Sequence, residues 1–222
     1  MFFGSTPKVI GNYFHNEIKR IQPKRVFSPF AGAFAIEQIV SLASPNTKLL
    51  STDVTLFSAA IGYYLSDKET TITLTDEALE LVPFLGDKYS TEDIAAAVLI
   101  FSDLAPHIVK AEKTEYYRKL VKNIIANFET NFEKAKQKLQ KIKANIKNLD
   151  FYAMDAVELL SQVGKGDVVY FDPPYFQGDY EKMFKYLPKY FNYKEPSYTC
   201  IDRDMIQQYL SDFHKNGITA YY

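Results

Sequence analysis

Asp167-Val168-Val169-Tyr170-Phe171-Asp172-Pro173-Pro174-Tyr175 is the stretch on which the reading of this chain turns. Its apolar run has the form of a buried strand, and it ends abruptly in Asp-Pro-Pro-Tyr. Two prolines fix φ and remove two backbone donors, so the carbonyls of the turn are held outward with no N–H competing for them. Such a turn suits a site that accepts hydrogen bonds from a substrate amine. The exocyclic amine of adenine is a poor nucleophile because its lone pair is delocalised into the ring. Two acceptors, the Asp172 carboxylate and the Pro173 carbonyl, can take both N–H protons and draw the nitrogen toward tetrahedral geometry, leaving its lone pair facing an electrophilic methyl. Pro174 stiffens the turn and Tyr175 offers a flat face on which an extruded base can stack. Stacking of that kind is worth about 1–3 kcal/mol, comparable to the few kcal/mol that base flipping costs. The bland alternative is a proline turn after a strand, with Asp as a turn residue and Tyr in the core.

Working outward, the elements around this strand alternate. A helix is expected over 8–22, with Val9, Tyr13, Ile18 and Ile21 on one face and Pro23 ending it. Arg25-Val26-Phe27-Ser28-Pro29-Phe30 reads as a buried strand, Ala31-Gly32-Ala33 as a turn, and 34–43 as a helix. A second strand at 48–52 ends at Asp53, and a helix covers about 55–65. Strand–helix alternation marks an α/β domain with a parallel sheet. From about 75 to 148 only helices are expected: one opened by a capping box at Ser90-Thr91-Glu92-Asp93, and a long one over 112–147. The stripe of the latter is Tyr116, Leu120, Ile124, Phe128, Phe132, Ala135, Leu139, Ile142 and Ile146, all at helical spacing. The α/β pattern then returns: strand at Phe151-Tyr152, Asp155, helix at 156–162, the Asp172 strand, helix at 202–215 and a strand from Gly217. The domains are therefore 1–75 together with 149–222, split by a helical insertion at 76–148. An insertion beside strand C-terminal ends lies where an α/β sheet binds its ligand.

These segments, in this order over most of the chain, resemble the Dam-type (D12 class) DNA adenine-N6 methyltransferases. The resemblance implies a Rossmann-like sheet that binds S-adenosyl-L-methionine (SAM), with an inserted helical target-recognition domain at 76–148. It implies site-specific methylation of double-stranded DNA on a flipped-out adenine, with Asp172 to Tyr175 as the catalytic loop. It also implies that Lys8 stands near the methionine end of SAM, that Pro29, Phe30 and Gly32 belong to the loop matching Glu-Pro-Phe-x-Gly-x-Gly, that Asp53 holds the ribose hydroxyls, and that Asp155 reads the cofactor adenine. Gly32 and Asp53 have an independent reading. A glycine between strand and helix lets a ligand approach the backbone, and an acid ending the next strand can bind a ribose.

The chain departs from the pattern at two positions. Ser28 stands where the family has Glu, and Phe34 where it has its second Gly. The Phe34 ring either occludes the cofactor space or turns inward as core. The family also continues for two more strands past the one starting at Ile218, so an incomplete sheet with an exposed edge is expected. These departures motivate an alternative function, a catalytically impaired DNA-binding relative.

The formal net charge is −1, yet residues 110–148 hold eleven Lys/Arg against four acids. That local excess gives candidate phosphate contacts at Lys119, Lys122, Lys136 and Lys141, against the plainer reading of a solvated helix face. The aromatics of 176–200 could close over a flipped base; the competing reading packs half of them as core. The single cysteine, Cys200, permits no intrachain disulfide, and the first residues lack a signal-peptide pattern, so a cytoplasmic location is expected. No stretch approaches about 18 apolar residues. His15, His107 and His214 have no metal-ligand spacing, and neither a nucleophile elbow nor a phosphate-binding Gly-Lys-Ser/Thr loop is present.

Overall fold

A computed structural model describes residues 7–86, 88–174 and 184–222. Helix α1 (Lys8–Ile21) leads to strand β1 (Arg25–Ser28), helix α2 (Ala35–Ala43), strand β2 (Lys48–Thr52) and helix α3 (Leu56–Leu65). The insertion follows as β3 (Thr73–Leu74), α4 (Asp76–Leu81), α5 (Thr91–Ala111), α6 (Glu115–Ala126) and α7 (Phe128–Asn145). The chain returns through β4 (Leu149–Tyr152), α8 (Ala156–Leu160), β5 (Val168–Tyr170), β6 (Phe191–Asn192), α9 (Arg203–Lys215) and β7 (Thr219–Tyr221).

Five strands form one parallel sheet in the order β4-β2-β1-β5-β7, the Rossmann-like arrangement expected from the strand–helix alternation. Alternation along each strand distributes the core to both faces. Val26, Leu49 and Val168 meet α1 and α2 through Phe14, Ile18 and Val40. Their neighbours Phe27, Leu50 and Val169 meet α8 and α9 through Leu159 and Phe213. Among the described residues, β7 forms one edge of the sheet, pairing only with β5, and β4 forms the other.

The buried face of α1 is the expected one at Ile18 and Ile21 and differs at its start. Gly11, Phe14 and Ile18 point inward, while Val9 and Tyr13 are exposed. Gly11 is what allows this close approach: a Cβ there would lie 3.2 Å from Ile39 Cδ1 of α2.

The single helix expected over 112–147 is two, broken at Asn127, whose Nδ2 donates to the Asn123 carbonyl at 2.8 Å. Only the second half of the predicted stripe is core: Phe128, Phe132, Ala135, Leu139, Ile142 and Ile146 are buried, whereas Tyr116 is 71% exposed. The capping box at Ser90 and Asp93 forms as expected. Helix α5 is long and apolar enough to cross a membrane by composition, but half of it is buried, packed on α3, α6 and α7. Its apolar faces join one continuous core that runs from Phe34 and Phe57 through Phe101 to Phe132 and Leu139. Gly62 on α3 brings this core against the sheet, since a methyl there would fall inside the Phe151 ring.

Candidate active site

Helix α2 carries the chain from β1 to β2 on one side, while β5 lies on the other side of β1, so the C-terminal ends of β1 and β5 part company. Such a switch point opens a crevice at the sheet edge. Two loops border it. Pro29 to Gly32 leaves β1 and Asp172-Pro173-Pro174 leaves β5, and the rings of Phe30 and Phe171 meet with centroids 5.7 Å apart. The Phe171 N–H donates to the Tyr221 carbonyl at 2.7 Å, fixing the root of the proline turn to β7. Pro173 is buried, and Asp172 and Pro174 are exposed. Although its surface is open, the protein mass around Asp172 partly desolvates the carboxyl and raises it above the ordinary aspartate range. Tyr175 lies outside the described residues.

Gly32 has φ +51 and no heavy atom within 4 Å of where a Cβ would stand, so its exposed side borders open space. Asp53 braces the loop from the next strand. Its Oδ2 accepts from the Gly32 N–H at 3.0 Å, and its Oδ1 accepts from the Thr55 N–H at 3.0 Å and hydroxyl at 2.9 Å. Thr55 in turn caps α3. The Ser58 hydroxyl donates to the Gly32 carbonyl at 2.9 Å, closing the ring of bonds. Phe34 resolves to the inward alternative. It is fully buried, packed edge-on against Phe151 at 5.5 Å, and leaves the space over Gly32 clear. Its φ of 61° is left-handed, which explains why a glycine suits this position and means that Phe holds it at a strain of roughly 1–2 kcal/mol. Lys8 opens α1 two turns before Phe14, whose ring meets Tyr170 at the end of β5 at 5.0 Å, so Lys8 extends past the C-terminal edge of the sheet.

Asp155 follows β4, the partner of β2, and therefore stands one strand beyond Asp53. Thr52 Oγ1 lies 2.6 Å from the carbonyls of both Tyr152 and Met154, pinning these strand ends together. Asp155 Oδ1 accepts from Val157 N–H at 3.1 Å as the cap of α8. Its Oδ2 accepts from the Thr199 N–H at 2.8 Å and hydroxyl at 2.7 Å. The Tyr193 hydroxyl donates to the Val54 carbonyl at 2.9 Å. Residues 193–199 thus form a strap tied at one end beside Asp53 and at the other to Asp155. Tyr193 belongs to the aromatic run singled out from the sequence, whereas Thr199 carries no sequence signal that marks it.

Glu37 does carry one: it is an acid on the buried face of an otherwise apolar helix, beside Ile36, Val40 and Ser41. It is fully buried, and Oε1 accepts from Ser51 Oγ at 2.8 Å while Oε2 has no partner. Burial pushes its carboxyl up to about 7, with the Ser51 and Ser28 hydroxyls pulling the other way.

Of the lysines singled out, Lys119, Lys122 and Lys141 are exposed. Lys136 is turned to α5, with Nζ 3.0 Å from Asp93 Oδ1 and 3.6 Å from Glu92 Oε2. Among the aromatics of 184–200, Tyr190 and Phe191 are core, packed on Phe101, and Phe184 stacks on Phe57 at 4.7 Å. Tyr198 is exposed; Phe176 and Tyr180 lie outside the described residues.

A family model described as Phage DNA Adenine Methylase-like domain 1 matches residues 2–218. No curated protein matches the chain.

Proposed function

The chain belongs to the family described as Phage DNA Adenine Methylase-like domain 1, and from that premise we propose that it is a SAM-dependent DNA adenine-N6 methyltransferase that acts on a base turned out of the duplex. The observation that carries this reading is that the Gly32 loop, open above its backbone, and the Asp172-Pro173-Pro174 turn leave the paired strands β1 and β5, with Phe30 of the one against Phe171 at the root of the other. The residues fit the cofactor. Gly32 leaves room above its backbone, and Asp53 and Asp155 present carboxylates from neighbouring strand ends. A carboxylate accepts about four hydrogen bonds, and the three that Asp53 receives leave capacity for a ribose hydroxyl. Pro29 and Phe30 wall the same loop, Lys8 supplies charge at its rim, and Asp155 receives the adenine amine. When bound, SAM supplies a methyl made electrophilic by its sulfonium.

Asp172 and the Pro173 carbonyl then hold the two protons of the target amine. Tyr175 stacks on the flipped base. The work of these groups is orientation and polarisation, with no covalent intermediate on the protein. Lys119, Lys122 and Lys141 meet DNA phosphates from the insertion, and Lys136 contributes field while holding α7 to α5. The test is transfer of labelled methyl from SAM to adenine in duplex DNA by the wild-type chain and by Asp172→Ala. Full activity of the variant would contradict the assignment.

A second reading, a DNA-binding relative with impaired catalysis, is favoured by one observation: Thr199 already supplies two donors to Asp155. DNA binding without SAM binding, measured by calorimetry, would select it.

A further inference from the structure

A carboxyl buried for purely structural reasons ordinarily has both oxygens satisfied, because an unpaired buried acceptor is costly. Glu37 does not fit that pattern: one oxygen is held by Ser51, while the other makes no hydrogen bond of ordinary geometry and feels only the weaker pull of the Ser28 hydroxyl. Ser28 and Ser51 face each other across the β1–β2 pair, one step before the loop to Gly32 and two before Asp53. Glu37 therefore sits directly beneath the floor of the candidate cofactor site, in the first turn of α2.

The charge balance of that site points the same way. A cationic group over Gly32 would meet the N-terminus of α2, whose dipole repels it. Ser28, at the end of β1, brings no charge. Asp53 is already drawn on by Gly32 and Thr55. The remaining acid at the floor is Glu37. We infer that Glu37 is a cofactor-positioning residue, whose buried carboxyl ionises to balance the α-ammonium of SAM across the loop. The inference rests on the SAM reading above.

Unliganded, the carboxyl is held near pH 7 by burial, with the Asp53 carboxylate pushing it further up. Several charged groups of the elements packed around α2 have partners of their own. Glu17 and Arg20 of α1 pair with each other, Lys136 and Lys143 of α7 with Asp93 and Asp67, and Arg25 of β1 with Asp167 at the far end of the strand. A cation placed nearby lowers the Glu37 value, so binding releases a proton, and affinity rises with pH up to about 7 and levels off above it. Below that point the dissociation constant weakens by as much as about tenfold per pH unit.

The experiment is calorimetric titration of the full chain with SAM between about pH 5.5 and 7, below the ordinary range of the ligand's own α-amino group, at each pH in two buffers of different ionisation heat. Wild type is expected to release up to one proton near neutrality, and Glu37→Gln to bind with no buffer dependence and a flat profile. Ser51→Ala, which keeps the carboxyl but removes its donor, is expected to move the midpoint above that of wild type. Wild-type binding without proton release, or unchanged release in Glu37→Gln, overturns the inference alone. No SAM binding by wild type at any pH overturns the SAM reading with it.

Discussion

At Asp172 the proposed chemistry calls for an ionised carboxylate, because a protonated one is a poorer acceptor for the amine hydrogen assigned to it. Its carboxyl is raised by desolvation, so methyl transfer should be full above that raised value and lost as pH falls through it. The acid limb of kcat should lie above the ordinary aspartate range, and Asp172→Ala should lower kcat by at least about 100-fold, the usual cost of removing one preorganised polar group. Glu37 gives a stability signature of opposite slope. Its folded carboxyl titrates near 7 against 4.5 for the ordinary group, so its contribution is full below the lower value and is lost as pH rises through the upper one. The loss is on the order of 3 kcal/mol. Thermal melts should therefore show Glu37→Gln gaining on wild type between pH 5 and pH 8, and a constant difference would refute the assignment. Phe34 sets a third test. Gly would relieve its left-handed strain but vacate a fully buried ring site against Phe151. Cavity costs of about 3–5 kcal/mol exceed the roughly 1–2 recovered, so Phe34→Gly should destabilise in denaturant unfolding.

Among the elements, the strap of 193–199 has the most direct consequence for binding. If the Asp155 carboxylate receives an adenine amine, the donors from Thr199 compete for it. Thr199→Ala removes one of them and should tighten SAM binding several-fold in calorimetry; weaker binding would mean that the strap is part of the bound site. The strap also marks where sequence reading runs out. Strands and helices with strong periodicity are legible: β1, β2, β5 and the capping box at Ser90 fall where expected, and so do the loops carrying Gly32, Asp53 and Asp172. The break at Asn127 is not, because a break by an asparagine bonding back to Asn123 leaves the apolar spacing intact on both sides. The start of the buried face of α1 eludes periodicity because Gly11 reads as a weak helix residue, whereas it is the point of close approach to α2. Thr199 gains meaning only from a distant partner, which spacing along the chain does not reveal, whereas Glu37 stands out as the acid on an otherwise apolar helix face.

For the whole molecule, much of the basic excess of the insertion is carried on exposed positions of α6 and α7, apart from Lys136, committed to α5, and Lys143, committed to Asp67. Replacing Lys119, Lys122 and Lys141 together with Ala should weaken duplex binding uniformly across sequences. It should also reduce the slope of log K against log salt by about one unit for each phosphate no longer neutralised, while SAM affinity stays unchanged. The insertion has another property that its place in the chain conceals. Its helices share one apolar interior with α3 and with Phe34 and Phe151, and residues 191–192 pair back onto 73–74. The boundary near residue 75 is thus a seam in sequence only. Excising the helices would strip the sheet-bearing part of the chain of much of its interior, and heating the intact chain should melt both parts in one cooperative step rather than two.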